Sequence, residues 1–593
     1  MKNVSQWLEK FAAALARGDI DATAALFQPD GFWRDLVAFT WNIRTCEGHA
    51  EIKAMLSATL AATKPANWRI AGVPRAGADG TVEAWLAFET ALGRGIGHVR
   101  LRGDRCWTLL TTLQELKGFE EKAGATRPSG VSHGAHAGRE SWAEQRREEA
   151  EALGVTRQPY VLIVGGGQGG IAVAARLKRL GVPALVVEKN ARAGDSWRKR
   201  YASLVLHDPV WYDHMPYLPF PDHWPVFSPK DKIADWLEMY VKVMDLDYWT
   251  DSRCVAAKFD DALQEWSVSV QKGEKLLELK AKHLVLATGM SGVPSGPRLP
   301  GADTFEGKMV HSSQYRGGAE WGGKKCVVIG ASTSAHDICA DLWEHGAEPT
   351  MVQRSSTIVA TSEALSEFAW GRLYSEQAVR SGITTEIADL TVASVPFKVL
   401  PEMQKSLYEN IKARDKDLYE GLTKAGFLHD FGEDGSGIHT AYLRRGAGYY
   451  IEVGASKMII EGKIKLESPA QVAGLSRGGV VLSNGRQLPS DLVVFATGYG
   501  SMNGWAEELI SPEVAEQVGK CWGLGSDTKY DPGPWVGELR NMWKPTQQPG
   551  LWFHGGNLMQ SRHYSLYLAL QLKARMEKLP AAVYFVDPVH HLK

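Results

Sequence analysis

The run from Tyr160 to Leu180, YVLIVGGGQGGIAVAARLKRL, constrains the fold more than any other part of the chain. It predicts a buried strand, a glycine loop and a helix, with Gly165, Gly167 and Gly170 in the G-x-G-x-x-G positions. The first glycine permits a tight turn, the second lets a pyrophosphate approach the backbone, and the third lets helix and strand pack closely. The helix N-terminus then faces the phosphates of a bound dinucleotide.

A second predicted strand, ALVVEKN, ends at Glu188, 18 residues past Gly170. A carboxylate at this position accepts hydrogen bonds from the ribose hydroxyls of an adenosine. Because strand, loop, helix and acidic strand end occur together, we predict a dinucleotide site rather than a glycine-rich turn that merely packs.

The same layout recurs in KKCVVIGASTSAHDICADLWEHG, where Gly330 and Ser332 take the first two small-residue positions. At the end of the next predicted strand, PTMVQRSS, stand Arg354 and Ser355 where an acidic residue would otherwise occur. An arginine there pairs with a 2′-phosphate and favours NADPH, the alternative being a solvated arginine at a strand end. An acidic and a cationic site together predict FAD and NADPH, as in a reductase or oxygenase.

Two further segments are predicted to end in glycine turns, and we interpret them as crossings between two nucleotide-binding domains. HLVLATG contains Thr288 and Gly289, and LVVFATGY contains Thr497 and Gly498. We therefore expect all four residues near the bound cofactors.

Composition excludes several classes of protein. The 593 residues carry a formal net charge of -1, with 44% apolar and 23% charged residues, which argues against disorder and against nucleic-acid or anionic-membrane binding. The six cysteines are far apart and form no C-x-x-C pair, so no disulfide framework or thiolate metal site is predicted. No signal peptide or membrane span is recognisable, and we expect a cytoplasmic protein.

The chain is predicted to be α/β, with two nested Rossmann-like domains preceded by an α+β cone-like domain. Helical spacing followed by period-two strands places the α+β domain at residues 1–120, and a linker and charged helix at 121–157. The FAD-binding domain is predicted at 158–290 and 485–593, and the NADP-binding domain with a helical insertion at 291–484.

The segment FEGKMVHSSQY carries Phe305, Gly307, His311 and Tyr315 in the spacing of a family motif, F-x-G-x-x-x-H followed by an aromatic residue. On this motif the chain resembles the class B flavoprotein monooxygenases, over about residues 157–580. The resemblance places His311 at the domain hinge and, through Tyr315, indicates the branch that oxygenates heteroatoms.

Other segments extend the resemblance. AGDSWR resembles a flavin-contacting G-G-x-W motif, with Gly194 and Trp197 in place and Asp195 replacing the second glycine. YASLVLH resembles a segment passing close to the flavin, and places His207 there as a hydrogen-bond donor to a substrate carbonyl or as a structural histidine. GLWFHGGNLMQSRHYS resembles a flavin-flanking segment and makes Asn557 a pocket candidate, together with Arg562 and Ser565. The catalytic candidates are therefore His207, Tyr315 and Asn557.

The first 120 residues resemble a polyketide-cyclase or SnoaL-like cone, and a domain of this kind is found in type II flavin-containing monooxygenases. The resemblance makes Asp35 and His49 nominal acid/base candidates, against a capping or dimerising role for the domain. It also implies that NADH is accepted beside NADPH.

The resemblance implies a reaction in which NADPH reduces FAD, O2 forms a flavin peroxide, and one oxygen atom enters a small organic substrate. Baeyer-Villiger oxidation of a ketone and oxygenation of nitrogen or sulfur both stay open. The alternative is an FAD-dependent NADPH oxidase or reductase whose N-terminal domain serves assembly or binding. A disulfide reductase is disfavoured, because Cys326 and Cys339 are 13 residues apart.

Overall fold

A computed structural model describes residues 2–77, 80–130, 134–529 and 531–589 of the chain. The first unit is one six-stranded sheet with three helices. Its strand order is β2-β1-β6-β5-β4-β3, in which β1 and β6 are parallel and the other neighbours antiparallel. Its elements are α1 (Lys2–Arg17), α2 (Ile20–Ala25), β1 (Phe27–Leu36), β2 (Ile43–Glu47), α3 (Gly48–Thr63), β3 (Ala66–Ala76), β4 (Val82–Glu89), β5 (Gly93–Arg102) and β6 (Arg105–Leu116).

Aromatic side chains fill the interior of this sheet, as the helical spacing of Trp7 and Phe11 predicts. Trp7 stacks on Phe11 with ring centroids 4.7 Å apart, and Phe27 stacks on Trp33 at 5.6 Å. The charged helix α4 (Trp142–Ala152) follows the linker and is capped by the Ser141 hydroxyl, which accepts from the Glu144 amide. The first unit thus has the α+β architecture of the predicted fold class, and a helix follows it.

The second unit is built on a parallel sheet of order β25-β13-β7-β8-β9. Its members are short and almost entirely apolar, as expected for strands covered on both faces. The elements of this unit are β7 (Val161–Val164), α5 (Gln168–Arg179), β8 (Ala184–Val187), α6 (Asp195–Arg198), α7 (Lys230–Val243), β9 (Tyr248–Trp249), β13 (His283–Leu286), β25 (Leu551–Phe553), α18 (Leu558–Met576), and the antiparallel strands β10 (Ser252–Asp260), β11 (Glu265–Lys272) and β12 (Lys275–Ala281).

The third unit repeats this plan with a parallel sheet of order β14-β24-β15-β16-β20. A small sheet of order β18-β17-β19 and an antiparallel meander, β21-β22-β23, accompany it. The elements are β14 (Lys308–His311), β15 (Lys325–Ile329), α8 (Thr333–Glu344), β16 (Glu348–Val352), β17 (Thr357–Thr361), β18 (His429–Asp430), β19 (Tyr449–Glu452), α15 (Ala455–Ile460), β20 (Lys465–Glu467), β21 (Val472–Ser476), β22 (Gly479–Leu482), β23 (Gln487–Pro489) and β24 (Leu492–Phe495).

A helical insertion separates β17 from β19, and two short helices follow β24. The helices of the insertion are α9 (Ser362–Leu365), α10 (Glu376–Arg380), α11 (Thr385–Ala393), α12 (Leu400–Arg414), α13 (Lys416–Lys424) and α14 (Gly437–Arg445), with a π-helical turn at Ser366–Trp370; the helices after β24 are α16 (Asn503–Leu509) and α17 (Pro512–Val518).

One predicted boundary is wrong. Strand β24 pairs with β14 and β15, with Val493 opposite Met309 and Val327, so it belongs to the third unit. The return of the chain to the second unit therefore follows residue 495, and not residue 484. The cause is that β24 is an interior strand, flanked by β14 and β15, and such a strand has the same sequence pattern as any other buried parallel strand.

Candidate functional site

The first glycine loop has the geometry that its sequence predicts. Gly165 has φ +103°, and a Cβ there would lie 2.5 Å from the Ala287 carbonyl oxygen. A Cβ on Gly170 would lie 2.0 Å from the Gly165 carbonyl oxygen, so helix α5 can approach strand β7 only with glycine at this position. Gly167 is the N-cap of α5, and a Cβ there would meet only the Ser196 hydroxyl, at 3.6 Å. The loop leaves room for a phosphate at the helix N-terminus.

Glu188 follows strand β8 and lies against this loop. One carboxylate oxygen accepts from the Gly166 amide at 2.7 Å, and the other accepts from the Asn190 amide and side chain at 2.8 and 2.6 Å. The buried Thr288 hydroxyl and both ring nitrogens of buried His554 have no hydrogen-bond partner among the described residues. Buried polar atoms of this kind are normally satisfied, so the surroundings of the first glycine loop fit a polar ligand such as a dinucleotide.

The G-G-x-W-like segment also lies beside the first loop. Gly194 has φ +87°, and a Cβ there would lie 2.2 Å from the Ala234 carbonyl oxygen. The Trp197 ring nitrogen donates to the Gln168 side chain at 3.2 Å, at the start of α5. Asp195 opens helix α6 and pairs with Arg198 at 3.0 Å, so the aspartate that replaces the second glycine is accommodated in a helical turn.

The second glycine loop repeats the first with a weaker fingerprint. Gly330 has φ +127°, and a Cβ there would lie 2.3 Å from the Ala496 carbonyl oxygen. Ser332 is the N-cap of α8 and makes no side-chain capping bond. Arg354 and Ser355 are exposed after β16, and Arg354 makes no ion pair with a described residue. The guanidinium is therefore available to a phosphate.

The family motif connects the second and third units. The His311 ring shares hydrogen bonds with the Ser313 hydroxyl at 2.9 Å and the Gly498 carbonyl at 3.0 Å. The Thr497 hydroxyl donates to the Ser295 carbonyl. The second predicted crossing is therefore hydrogen-bonded to the segment that follows the first. This supports a hinge role for His311. The related glycines are also constrained: Gly289 has φ +97°, and a Cβ on Gly307 would lie 2.4 Å from the Phe305 ring.

The structure does not place Tyr315 in the cleft. Its side chain is buried in the core of the third unit with Cys326 and Cys339, and its hydroxyl donates to Asp341 at 2.6 Å. Burial, followed by the Asp341 carboxylate, raises the pKa of this phenol far above its usual range. The catalytic assignment of Tyr315 is therefore replaced by a packing role, because a motif's spacing does not show where its hydroxyl points.

Asn557 lies beside the side chains of Tyr212 and Tyr442, and the region around these residues and the loop 207–214 is called the cleft below. Its side-chain oxygen caps α18 by accepting from the Gln560 amide at 2.9 Å, and its side-chain nitrogen donates to the Tyr212 hydroxyl at 3.0 Å. The Tyr442 hydroxyl donates to the Gln560 side chain at 2.6 Å, and the Tyr212 ring packs edge-on against Tyr374 at 4.8 Å. No described residue accepts the Tyr212 hydroxyl proton, which leaves a donor for a ligand.

Two carboxylates that the sequence analysis missed lie on the loop that carries His207. Both oxygens of Asp213 are buried without a hydrogen-bond partner in the described structure. Burial, then the nearby Asp208 charge, raises the pKa of Asp213 well above its ordinary value, while Arg562 opposes the shift. Burial also raises the pKa of Asp208, with His207 acting in the opposite sense. The run DPVWYD places two acids five residues apart among aromatic and proline residues, and this pattern could have indicated them as site candidates.

Arg562 holds this loop in place. It forms two 2.8 Å hydrogen bonds to the two carboxylate oxygens of Asp389 on α11, and both side chains are buried. It also donates to the Tyr212 carbonyl at 2.8 Å and to the His214 carbonyl. Ser565 donates back to the Arg562 carbonyl at 2.8 Å. Arg562 and Ser565 therefore support the cleft and do not line it with free groups.

The N-terminal candidates are already used by the fold. Asp35 is fully buried, and its carboxylate accepts from the Thr111 hydroxyl at 2.6 Å and from the hydroxyl and amide of Thr40 at 2.7 and 2.8 Å. Burial nevertheless raises the pKa of Asp35 to about 6. The His49 ring shares a 3.1 Å hydrogen bond with the Phe27 carbonyl. These contacts support a structural role for both residues.

Two family models match this chain. A SnoaL-like domain matches residues 8–109, and the pyridine nucleotide-disulphide oxidoreductase model matches residues 162–399. All six cysteines of this chain are free and buried, so no redox disulfide of the kind named in the second model is present in the described structure. Within the described residues, no helix is long and apolar enough to cross a membrane, and no group of three or more potential ligands is arranged for a metal ion.

Curated relatives show the class of this chain, and a solved structure shows the same fold. The indole-3-pyruvate monooxygenase YUCCA1 of Oryza sativa subsp. japonica is 30% identical over 360 residues, which are 60% of this chain and 79% of the relative. The probable indole-3-pyruvate monooxygenase YUCCA3 of Arabidopsis thaliana is 29% identical, over 57% of this chain and 73% of the relative. The open structure of cyclohexanone monooxygenase has the same fold, with a TM-score of 0.50 and 16% identity, covering 71% of this chain and 88% of that one. The chain belongs to the class B flavin monooxygenases, which are NAD(P)H-dependent flavoenzymes.

Proposed function

We propose that the chain uses FAD and NADPH to insert one oxygen atom of O2 into a small organic substrate that is neutral or cationic. The glycine loop at Gly165, the Glu188 carboxylate and the unpartnered Thr288 hydroxyl would hold FAD. The α8 N-terminus and Arg354 would hold NADPH. When bound, FAD supplies the redox chemistry, accepting two electrons from NADPH and activating O2.

The proposal rests on the Tyr212 hydroxyl, whose proton no described residue accepts. Asn557 fixes the position of this hydroxyl by donating to it, so its own proton can bind an acceptor such as a substrate carbonyl. The tyrosines around it, which are packed edge-on and hydrogen-bonded, would keep water away from the reacting atoms. A ketone is therefore the first candidate substrate, and a thioether or amine the second.

The lack of a free cation among the described residues of the cleft disfavours an anionic substrate. Asp208 and Asp213 lie on the same loop, and the nearby cation, Arg562, is already paired with Asp389. An additional carboxylate would be buried near acids without a free cation, which is costly in a desolvated site. We therefore expect a 2-oxo acid such as indole-3-pyruvate, after which the plant relatives are named, to be a poor substrate.

The test is turnover of the FAD-loaded protein with NADPH under ¹⁸O₂, using a bicyclic ketone, a thioether and indole-3-pyruvate. We expect one labelled oxygen in the ketone or thioether product and a kcat/KM about tenfold or more lower for the 2-oxo acid, a difference of about 1.4 kcal/mol. NADPH consumption that yields only hydrogen peroxide with every substrate would instead favour the oxidase alternative.

A matched pair of variants tests the Tyr212 hydroxyl. Tyr212→Phe removes only the donor and should lower kcat/KM about tenfold, the equivalent of one hydrogen bond. Tyr419→Phe is the control, because that buried hydroxyl donates to the Val359 carbonyl at 3.1 Å, in the core of the helical insertion. Equal kcat/KM values in both variants would contradict the assigned role.

A further inference from the structure

One arginine of the N-terminal unit is buried against the rest of the chain. Arg34 on β1 is 1% exposed, and Nε and Nη2 donate to the two Glu538 carboxylate oxygens at 2.7 and 2.8 Å. Nη1 donates to the Ala393 carbonyl at 2.7 Å, and Nη2 also donates to the Tyr564 hydroxyl at 3.1 Å. All three acceptor residues lie outside the N-terminal unit, so this side chain serves the interface and not its own sheet.

Two arginines of the N-terminal unit bind the C-terminal end of helix α11. Ala393 is the last residue of α11 and Ser394 is its C-cap. Arg100 donates to the Ser394 carbonyl and hydroxyl, both at 2.8 Å, beside the contact from Arg34 to Ala393. The last carbonyls of a helix have no intrahelical partner and favour cations. The N-terminal unit therefore fixes the position of this helix end.

Helix α11 connects the contacts of the N-terminal unit to the cleft. Asp389 lies one turn before Ala393 and accepts from Arg562 and from the Tyr374 hydroxyl, at 2.8 and 2.9 Å. Arg562 in turn holds the Tyr212 carbonyl at 2.8 Å. Direct contacts thus connect Arg34 to the loop of the cleft through one helix and one buried ion pair.

We propose that Arg34 is a positioning residue for the monooxygenase cleft, through which the N-terminal unit sets the placement of α11 and of the loop 207–214. The proposal rests on the proposed function for its catalytic consequence. In this role the N-terminal unit contributes to the reaction by positioning the loop, and no acid or base of that unit has to take part. Asp35, the candidate acid of that unit, already accepts hydrogen bonds at both carboxylate oxygens.

The variants must separate positioning from stability. Arg34→Met alone would leave the Glu538 carboxylate buried without a cation and would destabilise the fold. The informative variant is Arg34→Met/Glu538→Gln, which removes both charges but leaves the Ala393 carbonyl without its donor. The control is Arg94→Met/Glu115→Gln, an ion pair of the same unit whose side chains are 45% and 41% exposed.

The FAD-loaded proteins are compared by thermal unfolding, flavin absorbance, hydrogen–deuterium exchange and product formed per NADPH consumed. In the interface double variant we expect exchange in residues 385–394 and 207–214 to rise about tenfold, with bound flavin retained. Product per NADPH should fall at least about threefold, with hydrogen peroxide accounting for the difference, because a displaced loop no longer orients the substrate. The control should match the wild type in every measurement.

Unchanged exchange in both segments, or an unfolding midpoint lowered with unchanged product per NADPH, would overturn the proposal. If the double variant does not fold, Arg34→Lys takes its place, because lysine keeps a charge beside Glu538 but loses the planar fork that reaches Ala393. Arg34→Lys should then show the same rise in exchange, and wild-type exchange would overturn the proposal. If the wild type forms no product, the proposed function fails, and exchange alone still decides whether Arg34 positions the loop.

Discussion

Arg354→Ala is a direct test of the second nucleotide site, because no ion pair with a described residue involves the Arg354 side chain. Arg354 is exposed, follows strand β16 and makes no ion pair with a described residue. Removal of such a surface side chain should change the free energy of unfolding by no more than about 0.5 kcal/mol. A change in cofactor use would then report on binding and not on folding.

The expected magnitude follows from the setting of the guanidinium. Hydrogen bonds to a charged group contribute about 1.5–3 kcal/mol, and exposure to solvent weakens them toward about 1 kcal/mol. The neighbouring Ser356 hydroxyl donates to Asp430, whose negative charge also opposes a phosphate and favours the lower part of this range. A loss of about 1–3 kcal/mol corresponds to a KM for NADPH raised about 5- to 150-fold. NADH has no 2′-phosphate, so its KM should stay the same.

The assay is initial-rate kinetics of the FAD-loaded protein with each nicotinamide cofactor in turn. Arg354→Lys should recover part of the NADPH affinity, because it keeps the charge but loses bidentate geometry. Arg477→Ala removes an 80% exposed arginine that pairs with Glu306, and serves as the charge-matched control. Equal increases in KM for NADPH and NADH in Arg354→Ala would refute the assigned contact.

Three other predictions concern residues whose contacts are known. Tyr315→Phe should lower the free energy of unfolding by about 1–3 kcal/mol, because Asp341 loses a buried hydrogen-bond donor. The product formed per NADPH should stay unchanged. Lost turnover at an unchanged unfolding midpoint would contradict the packing role. Gly170→Ala should give flavin-free or unfolded protein by absorbance, since its Cβ would lie 2.0 Å from the Gly165 carbonyl oxygen, and a normal flavin content would exclude that contact. Because the pKa of Asp35 is raised to about 6 in the folded state, its contribution to stability should fall as pH rises from about 4 to about 6, and stay level above that. Thermal unfolding of wild type against Asp35→Asn across this window checks the sign, and a difference that does not change with pH would contradict it.

Local geometry explains which parts of the molecule could be predicted from sequence. The tight turn at Gly165 and the close contact at Gly170 involve residues a few positions apart, so their spacing carries the information. The alternation of apolar strands and helices predicted both parallel sheets for the same reason. The end of the third unit was missed, because strand β24 looks like any buried strand until its neighbours are known.

Contacts between distant parts of the chain could not be predicted. Arg34 and Glu538 are 504 positions apart, and Asp389 and Arg562 are 173 apart, so no spacing rule connects them. Each of these residues, taken alone in the sequence, is an ordinary charged residue expected at the surface. The motif around Tyr315 shows the converse, since its pattern is recognisable but the direction of its hydroxyl depends on the packing of α8.

The C-terminal segment supports the view that the N-terminal unit acts by position. After α18 the chain crosses to that unit, where the Tyr584 amide donates to the Thr40 carbonyl at 2.8 Å and Asp587 pairs with Arg44 at 3.4 Å. Tyr584 also lines a cavity of about 100 Å³ together with residues of α3 and of the 38–41 segment between β1 and β2, so the segment after α18 covers one side of this space. A cone held by Arg34 on one contact and by the C-terminal segment on another cannot turn or separate without breaking buried hydrogen bonds. It therefore serves as a fixed support for the insertion that shapes the cleft.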